Sequence, residues 1–131
     1  MFALHVHLVF VLKYRRRAIT ARVLQALRGQ FARVCTDFGA SLKECDGEAD
    51  HVHLLVEYPP KVSVSSLVNS LKGTSSRTIR NLRFPEVRQA LWGEHFWSPS
   101  YFAASCGGAP IDILKKYIQG QQDESARLTP A

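Results

Sequence analysis

Four side chains carry the chemistry that this sequence offers: His51, His53, Tyr117 and Gln121. His51 and His53 fall in Asp50-His51-Val52-His53-Leu54-Leu55-Val56-Glu57, where apolar and polar positions alternate until Pro59 and Pro60 end the run. That is the pattern of a short β-strand. Alternate side chains leave a sheet in the same direction, so two imidazoles at i and i+2 can converge on one divalent cation. Leu55 stands where a third histidine would extend the series, so any further ligand comes from elsewhere in the chain. The same spacing, taken alone, also suits two half-buried histidines that hold nothing.

Tyr117 and Gln121 lie four residues apart in Lys116-Tyr117-Ile118-Gln119-Gly120-Gln121. On a helix such residues share one side, with Cβ atoms roughly 5–6 Å apart. One helix face can thus bring a phenol and an amide oxygen to the same ion. Ile111, Leu114 and Ile118 make the adjacent apolar stripe that would dock it. A tyrosine at the half-buried edge of a helix is the plainer reading of this pattern.

The elements that must position these groups follow from periodicity. Residues 4–12 alternate as a first strand and deliver the chain into Lys13-Tyr14-Arg15-Arg16-Arg17, whose like charges repel unless solvated or neutralised by phosphate. From Thr20 the period becomes helical, with Val23, Leu24, Leu27, Phe31, Val34 and Phe38 in one stripe, Thr20 as N-cap and Gly39 as stop. Arg22, Arg28 and Arg33 read as its solvated side. Ser41 to Cys45 is a second strand, Asp46-Gly47 gives a tight-turn signal, and the histidine strand is the third.

A second helix is expected over 64–82, burying Leu67, Val68, Leu71, Ile79 and Leu82, with a weak middle at Gly73-Thr74-Ser75-Ser76. Its exposed side carries Lys72, Arg77 and Arg80 with almost no carboxylates nearby, which favours a phosphate-binding face over a merely solvated one. A short helix follows over 85–92, then a fourth strand over 96–105. Pro99 puts that strand at a sheet edge or gives it a bulge. Its aromatics read as core, with base stacking the alternative for one or two of them. Gly107-Gly108-Ala109 is a flexible joint before a last helix from Pro110 to about Gln122.

Strand, helix, strand, strand, helix, strand is the α+β pattern of a ferredoxin-like βαββαβ sandwich, like that of RNA-recognition domains, here with an additional C-terminal helix. Strands one and three sit side by side at its centre and both helices cover one face, so His51 and His53 emerge on the other. Residues 1–122 form one domain, and 123–131 a flexible tail. At 131 residues roughly two thirds of the unfolded chain's surface is buried on folding. With 46% hydrophobic and 21% charged residues, the composition excludes a disordered or membrane class. The apolar run 2–12 is too short to span a bilayer and has no basic segment before it. Cys35, Cys45 and Cys106 are odd in number and show no Cys-x-x-Cys pairing, which predicts reduced thiols in a cytoplasmic protein. A net charge of +6 suits a polyanionic partner.

One resemblance joins these parts. Lys13-Tyr14-Arg15-Arg16, Asp50-His51-Val52-His53-Leu54-Leu55, Leu71-Lys72-Gly73, Trp97-Ser98-Pro99-Ser100-Tyr101-Phe102 and Tyr117-Ile118-x-x-Gln121 follow one another here as in the single-tyrosine HUH transposases of small bacterial insertion sequences. That group includes relatives acting on repetitive extragenic palindromes, and the resemblance covers residues 5–122. It implies cleavage and rejoining of hairpin-bearing single-stranded DNA through a 5′-phosphotyrosine. It also implies Tyr117 as nucleophile, and His51, His53 and Gln121 as ligands of Mg2+ or Mn2+. DNA contacts are expected from Lys13, Tyr14, Arg15, Arg16, Arg17, Lys72, Arg77 and Arg80. A homodimer is implied as well, in which the tyrosine helix of one subunit can complete the site of the other.

Two ambiguities stay open. His5-Val6-His7 is a second His-x-His on the neighbouring strand, and Tyr14, Tyr58 and Tyr101 are poorer nucleophiles without a partner at helical spacing. Two other functions also stay open. A non-catalytic single-stranded nucleic-acid-binding module of the same fold would bind without metal and cleave nothing. A metal-dependent phosphoesterase using water would release a free 5′-phosphate.

Overall fold

The computed structural model describes residues 3–91 and 95–105. The expected terminal helix with Tyr117 and Gln121, the Gly107-Gly108 joint, Cys106 and the tail lie outside the described residues. Strands β1 (Leu4–Val11), β2 (Ser41–Glu48), β3 (His51–Tyr58) and β4 (Phe102–Ser105) form one sheet in the order β2-β3-β1-β4, every pair antiparallel. Helices α1 (Ala21–Asp37), α2 (Val64–Leu82) and α3 (Pro85–Ala90) complete the chain order of a ferredoxin-like sandwich, with β1 and β3 central as expected.

Alternation divides each central strand. Val6, Leu8 and Phe10 of β1 and Val52, Leu54 and Val56 of β3 are buried in one core with Val23, Leu27 and Phe31 of α1 and Leu67, Val68, Leu71 and Ile79 of α2. Full burial of each such side chain contributes roughly 1.5–3 kcal/mol. Thr20 caps α1 by accepting from the Val23 amide, and Gly39 ends it at φ 72°, a conformation that costs glycine little. Leu82, expected in the core, is 52% exposed. The buried stripe of α2 runs through Ser75 to Ile79 and leaves the final turn, ended by Arg83 at φ 55°, outside the contact.

The weak middle of α2 is intact because its polar groups have partners. Ser75 is fully buried, donates to the Lys72 carbonyl at 3.2 Å and accepts from Trp97 Nε1 at 2.9 Å. Trp97 packs edge-on against Phe96 and Phe10, so these two aromatics of the fourth-strand region are core residues, whereas Tyr101 is exposed. Regular β4 begins only at Phe102; before it Trp97 bridges Leu12, just past β1, and the Ser98 amide donates to the Val11 carbonyl at 2.8 Å. Proline lacks the amide hydrogen a ladder needs, and Pro99 interrupts this edge strand accordingly.

The hairpin turn differs from expectation. Strand β2 continues through Asp46 and Gly47, paired with His53 and Val52, and reverses at Ala49–Asp50. Gly47 serves a close approach instead: a Cβ there would lie 2.5 Å from the His51 carbonyl oxygen. Arg22 is likewise more than a solvated residue, since its guanidinium pairs with Glu86 and ties α1 to α3. Cys35 and Cys45 are free thiols, each pushed up to about 11, mainly by burial.

Candidate metal centre and nucleic-acid interface

The register fixes what surrounds the two histidines. His51 stands opposite Val11 on β1 and Glu48 on β2; His53 stands opposite Val9 and Asp46. Directly paired residues of an antiparallel sheet project to the same side. The face away from the α1–α2 core therefore carries His51, His53, His7, Glu44, Asp46 and Glu48, the division that the alternation of β3 predicted.

His51 is 4% exposed, and its Nδ1 lies 2.8 Å from Asp50 Oδ1. The other carboxylate oxygen, Oδ2, accepts from Arg15 Nη2 at 2.6 Å. Burial alone would raise the Asp50 carboxyl, but the hydrogen bonds from His51 and Arg15 and the Arg15 charge outweigh it and hold the group below the ordinary aspartate range. His53 is pushed down, first by burial and further by His51 and His7, against the opposing pull of Asp46 and Glu44. A His53 imidazole that is neutral near pH 7 is in the protonation state a metal ligand requires.

Three groups that could hold a cation come together here. Ligand atoms of Glu48, Asp50 and His51 all lie within 4.8 Å of one another. Both Asp50 oxygens are engaged, one by His51 and one by Arg15, and His53 lies on the same side of β3 as His51 but outside this cluster. Imidazole and carboxylate groups are both ordinary ligands of divalent cations. His5 and His7 share this open face, but His5 pairs with Glu57 at 3.6 Å, towards the other end of β3.

The basic residues divide into two kinds. On the turn Lys13–Arg15, Tyr14 has φ 57° and Arg15 φ 52°. Tyr14 is 65% exposed with Lys13 Nζ and Arg16 Cζ within 6 Å of its ring centroid, at 5.5 and 5.9 Å. Arg16 and Arg17 are exposed, while Arg15 turns inward to Asp50. On α2, Arg77 and Arg80 are exposed, but Lys72 is half-buried. Its ammonium donates to the carbonyls of Ser98 and Ser100 at 2.6 and 3.4 Å, and burial pushes its pKa down. Lys13 and Lys72 line one cleft of about 320 Å3, walled by Gly73, Ser76 and the stretch from His95 to Pro99. The fold thus joins two basic segments that are far apart in sequence.

Sequence reasoning missed the Arg15–Asp50 pair and the nearness of Glu48. Glu48 was within reach of the β2–β3 hairpin register, whereas nothing local links Arg15 to a carboxylate 35 residues away.

A ferredoxin-like sheet with a His-x-His pair on the face away from its helices, and a basic turn leading off its central strand, defines a DNA-processing domain of the HUH class. The comparisons make this specific. Residues 1–121 match the family described as "Transposase IS200 like", and the chain belongs to that family. It is 28% identical over 124 residues to the ISDra2 transposase TnpA of Deinococcus radiodurans, covering 95% of this chain and 88% of the relative. It is 33% identical over 118 residues to the IS200 transposase of Salmonella typhimurium, covering 90% and 76%. A crystal structure from Deinococcus radiodurans R1 assigned to the transposases superposes with a TM-score of 0.79 at 29% identity over 92% of both chains. A REP-associated tyrosine transposase bound to a REP hairpin shares the fold, with a TM-score of 0.60 at 16% identity over 86% of this chain and 61% of that one.

Proposed function

We propose that this transposase is a metal-dependent single-stranded DNA endonuclease and strand transferase. It acts on hairpin-bearing DNA ends through a 5′-phosphotyrosine at Tyr117, with Mg2+ or Mn2+ held by His51, His53 and Gln121. The observation that carries this reading is the pair of imidazoles on the sheet face away from the helices, with Asp50 holding Nδ1 of His51 and burial lowering the pKa of His53. The family membership and the hairpin bound by the structural neighbour point the same way.

In this reaction Tyr117 Oη attacks the scissile phosphorus, the bond from phosphorus to the 3′ oxygen breaks, and the phenolic proton ends on the departing 3′-hydroxyl. One phosphodiester replaces another, so rejoining by a 3′-hydroxyl reverses the step without ATP. The cation, when bound, steadies the charge that builds on the phosphate oxygens. A free phenol has a pKa of about 10, so attack by Tyr117 near neutrality would need that field or a proton acceptor. Lys13, Tyr14, Arg16, Arg17, Arg77 and Arg80 face the DNA, with Lys72 shaping the cleft between them. Two copies act as a homodimer in the cytoplasm. Among the described residues no helix is long and apolar enough to cross a membrane.

The non-catalytic reading is less well supported. Sheets that bind bases by stacking display aromatics on their central strands. The face of β1 and β3 away from the helices carries His5, His7, Val9, Val11, His51, His53, Leu55 and Glu57, with no Phe, Tyr or Trp among them. Incubation with a labelled hairpin-bearing single strand and Mn2+ is the test. A covalent adduct that survives denaturation and disappears in Tyr117→Phe is expected; an undiminished adduct in that variant removes Tyr117 as nucleophile.

A further inference from the structure

Asp50 and His51 are the two nearly buried polar residues at the start of β3, 7% and 4% exposed, and Arg15 reaches them from another part of the chain. Three side chains are in series: Arg15 Nη2 to Asp50 Oδ2 at 2.6 Å, then Asp50 Oδ1 to His51 Nδ1 at 2.8 Å. An ionised carboxylate only accepts hydrogen bonds, so His51 Nδ1 is the donor and carries the hydrogen. In the neutral ring the lone pair is then left on Nε2.

The geometry points to Arg15 and Asp50 as a positioning pair that locks His51 in its Nδ1–H tautomer and presents Nε2 to a divalent cation. The inference rests on the reading of His51 as a metal ligand. Metal-bound histidines commonly have their second nitrogen held in this way, and removal of the holder typically costs about 10- to 100-fold in metal affinity.

The backbone shows why Arg15, among the five residues of the basic turn, takes this part. Leu12 N donates to Asp50 O, and Ile19 N donates to Ala49 O, both at 2.9 Å, so the 13–18 loop is pinned at both ends to the two residues of the hairpin turn. Between those pins Tyr14 and Arg15 adopt left-handed φ values of 57° and 52°, which fold the chain back on itself; Arg15 N bonds Leu12 O at 2.8 Å. Arg15 is thereby directed over Asp50, while Tyr14, Arg16 and Arg17 stay exposed. The turn that presents cations to solvent therefore also holds the metal ligand, by a clamp on the far oxygen of its carboxylate.

The experiment uses the full chain without metal. Long-range 1H–15N spectra report which ring nitrogen of His51 bears hydrogen, and calorimetric Mn2+ titration reports affinity. The expected result is Nδ1–H in the wild type, a shift towards Nε2–H with about 10- to 100-fold weaker Mn2+ binding in Asp50→Ala, a smaller loss in Arg15→Ala, and recovery in Arg15→Lys. A purely structural ion pair would leave the tautomer unmoved. An Nε2–H ring in the wild type overturns the inference, and this measurement needs no variant to fold. If His51→Ala loses Mn2+ binding while Asp50→Ala and Arg15→Ala keep full affinity, the pair's role fails and the metal reading stands. If His51→Ala binds Mn2+ as the wild type does, both fail.

Discussion

Gly47, opposite Val52 on β3, packs so closely against the backbone of His51 and Val52 that a Cβ at position 47 would lie 2.5 Å from the His51 carbonyl oxygen and 3.0 Å from Val52 Cα. Both obstacles are backbone, so neither can swing aside as a side chain would. Gly47→Ala is expected to destabilise the fold by about 1–3 kcal/mol, the usual range for overpacking. It should also displace the start of the histidine strand. Urea denaturation checks the first effect and Mn2+ affinity the second; a variant equal to wild type in both would mean that the hairpin opens without cost.

That contact also marks how far the sequence could be read. Period-two and period-3.6 patterns located β1, β3, α1 and α2 because each buries a continuous stripe, and the two histidines fell on the open face for the same reason. Asp46-Gly47 was misread since the dipeptide suits a turn, yet glycine is equally demanded where two backbones approach. Lys72 was placed on the exposed side of α2 by periodicity. Its ammonium is instead drawn inward by the Ser98 and Ser100 carbonyls, acceptors supplied by a chain segment 26 and 28 residues away. Arg15 was grouped with its basic neighbours because local charge gives no sign of a distant carboxylate. Contacts between elements, rather than the elements themselves, were what single-sequence patterns left out.

Glu86 accepts from Thr20 and Arg22, and these bonds hold its carboxyl down at about 2, against an ordinary 4.5. The unfolded chain therefore binds the proton first, and the bonds' contribution to stability is fully present above about pH 5 and lost as pH falls towards 2. Glu86→Gln removes the titrating group. The gap in urea midpoint between wild type and Glu86→Gln should be widest near neutrality and shrink between pH 5 and pH 2.5. Parallel midpoints over that range would show that Glu86 makes no linked contribution.

Ser75→Ala should be costly despite alanine's higher helix propensity. The substitution leaves Trp97 Nε1 buried without its acceptor at 2.9 Å, a loss of about 1–3 kcal/mol. Ser75→Thr keeps the hydroxyl but adds a methyl group in a fully buried place, so it should not restore full stability. Thermal melts compare the three proteins, and an Ala variant as stable as wild type would mean that water or a shifted ring satisfies the indole.

DNA binding and DNA cleavage should separate when the metal is removed. Arg77 and Arg80 are exposed on α2, whereas the imidazoles lie on the opposite side of the sheet from the helix-packed core. In the proposed role these arginines contact phosphate and release counterions, so each lost contact is expected to weaken binding and to lower the slope of log affinity against log salt by about one. Chelation with EDTA is therefore expected to abolish the covalent adduct while hairpin binding persists with its salt slope unchanged. Arg77→Ala with Arg80→Ala should do the converse at saturating DNA, reducing the slope by about two and sparing the adduct. Binding that vanishes with the metal would place the cation within the recognition of the hairpin itself, and the two surfaces would then have to be treated as one.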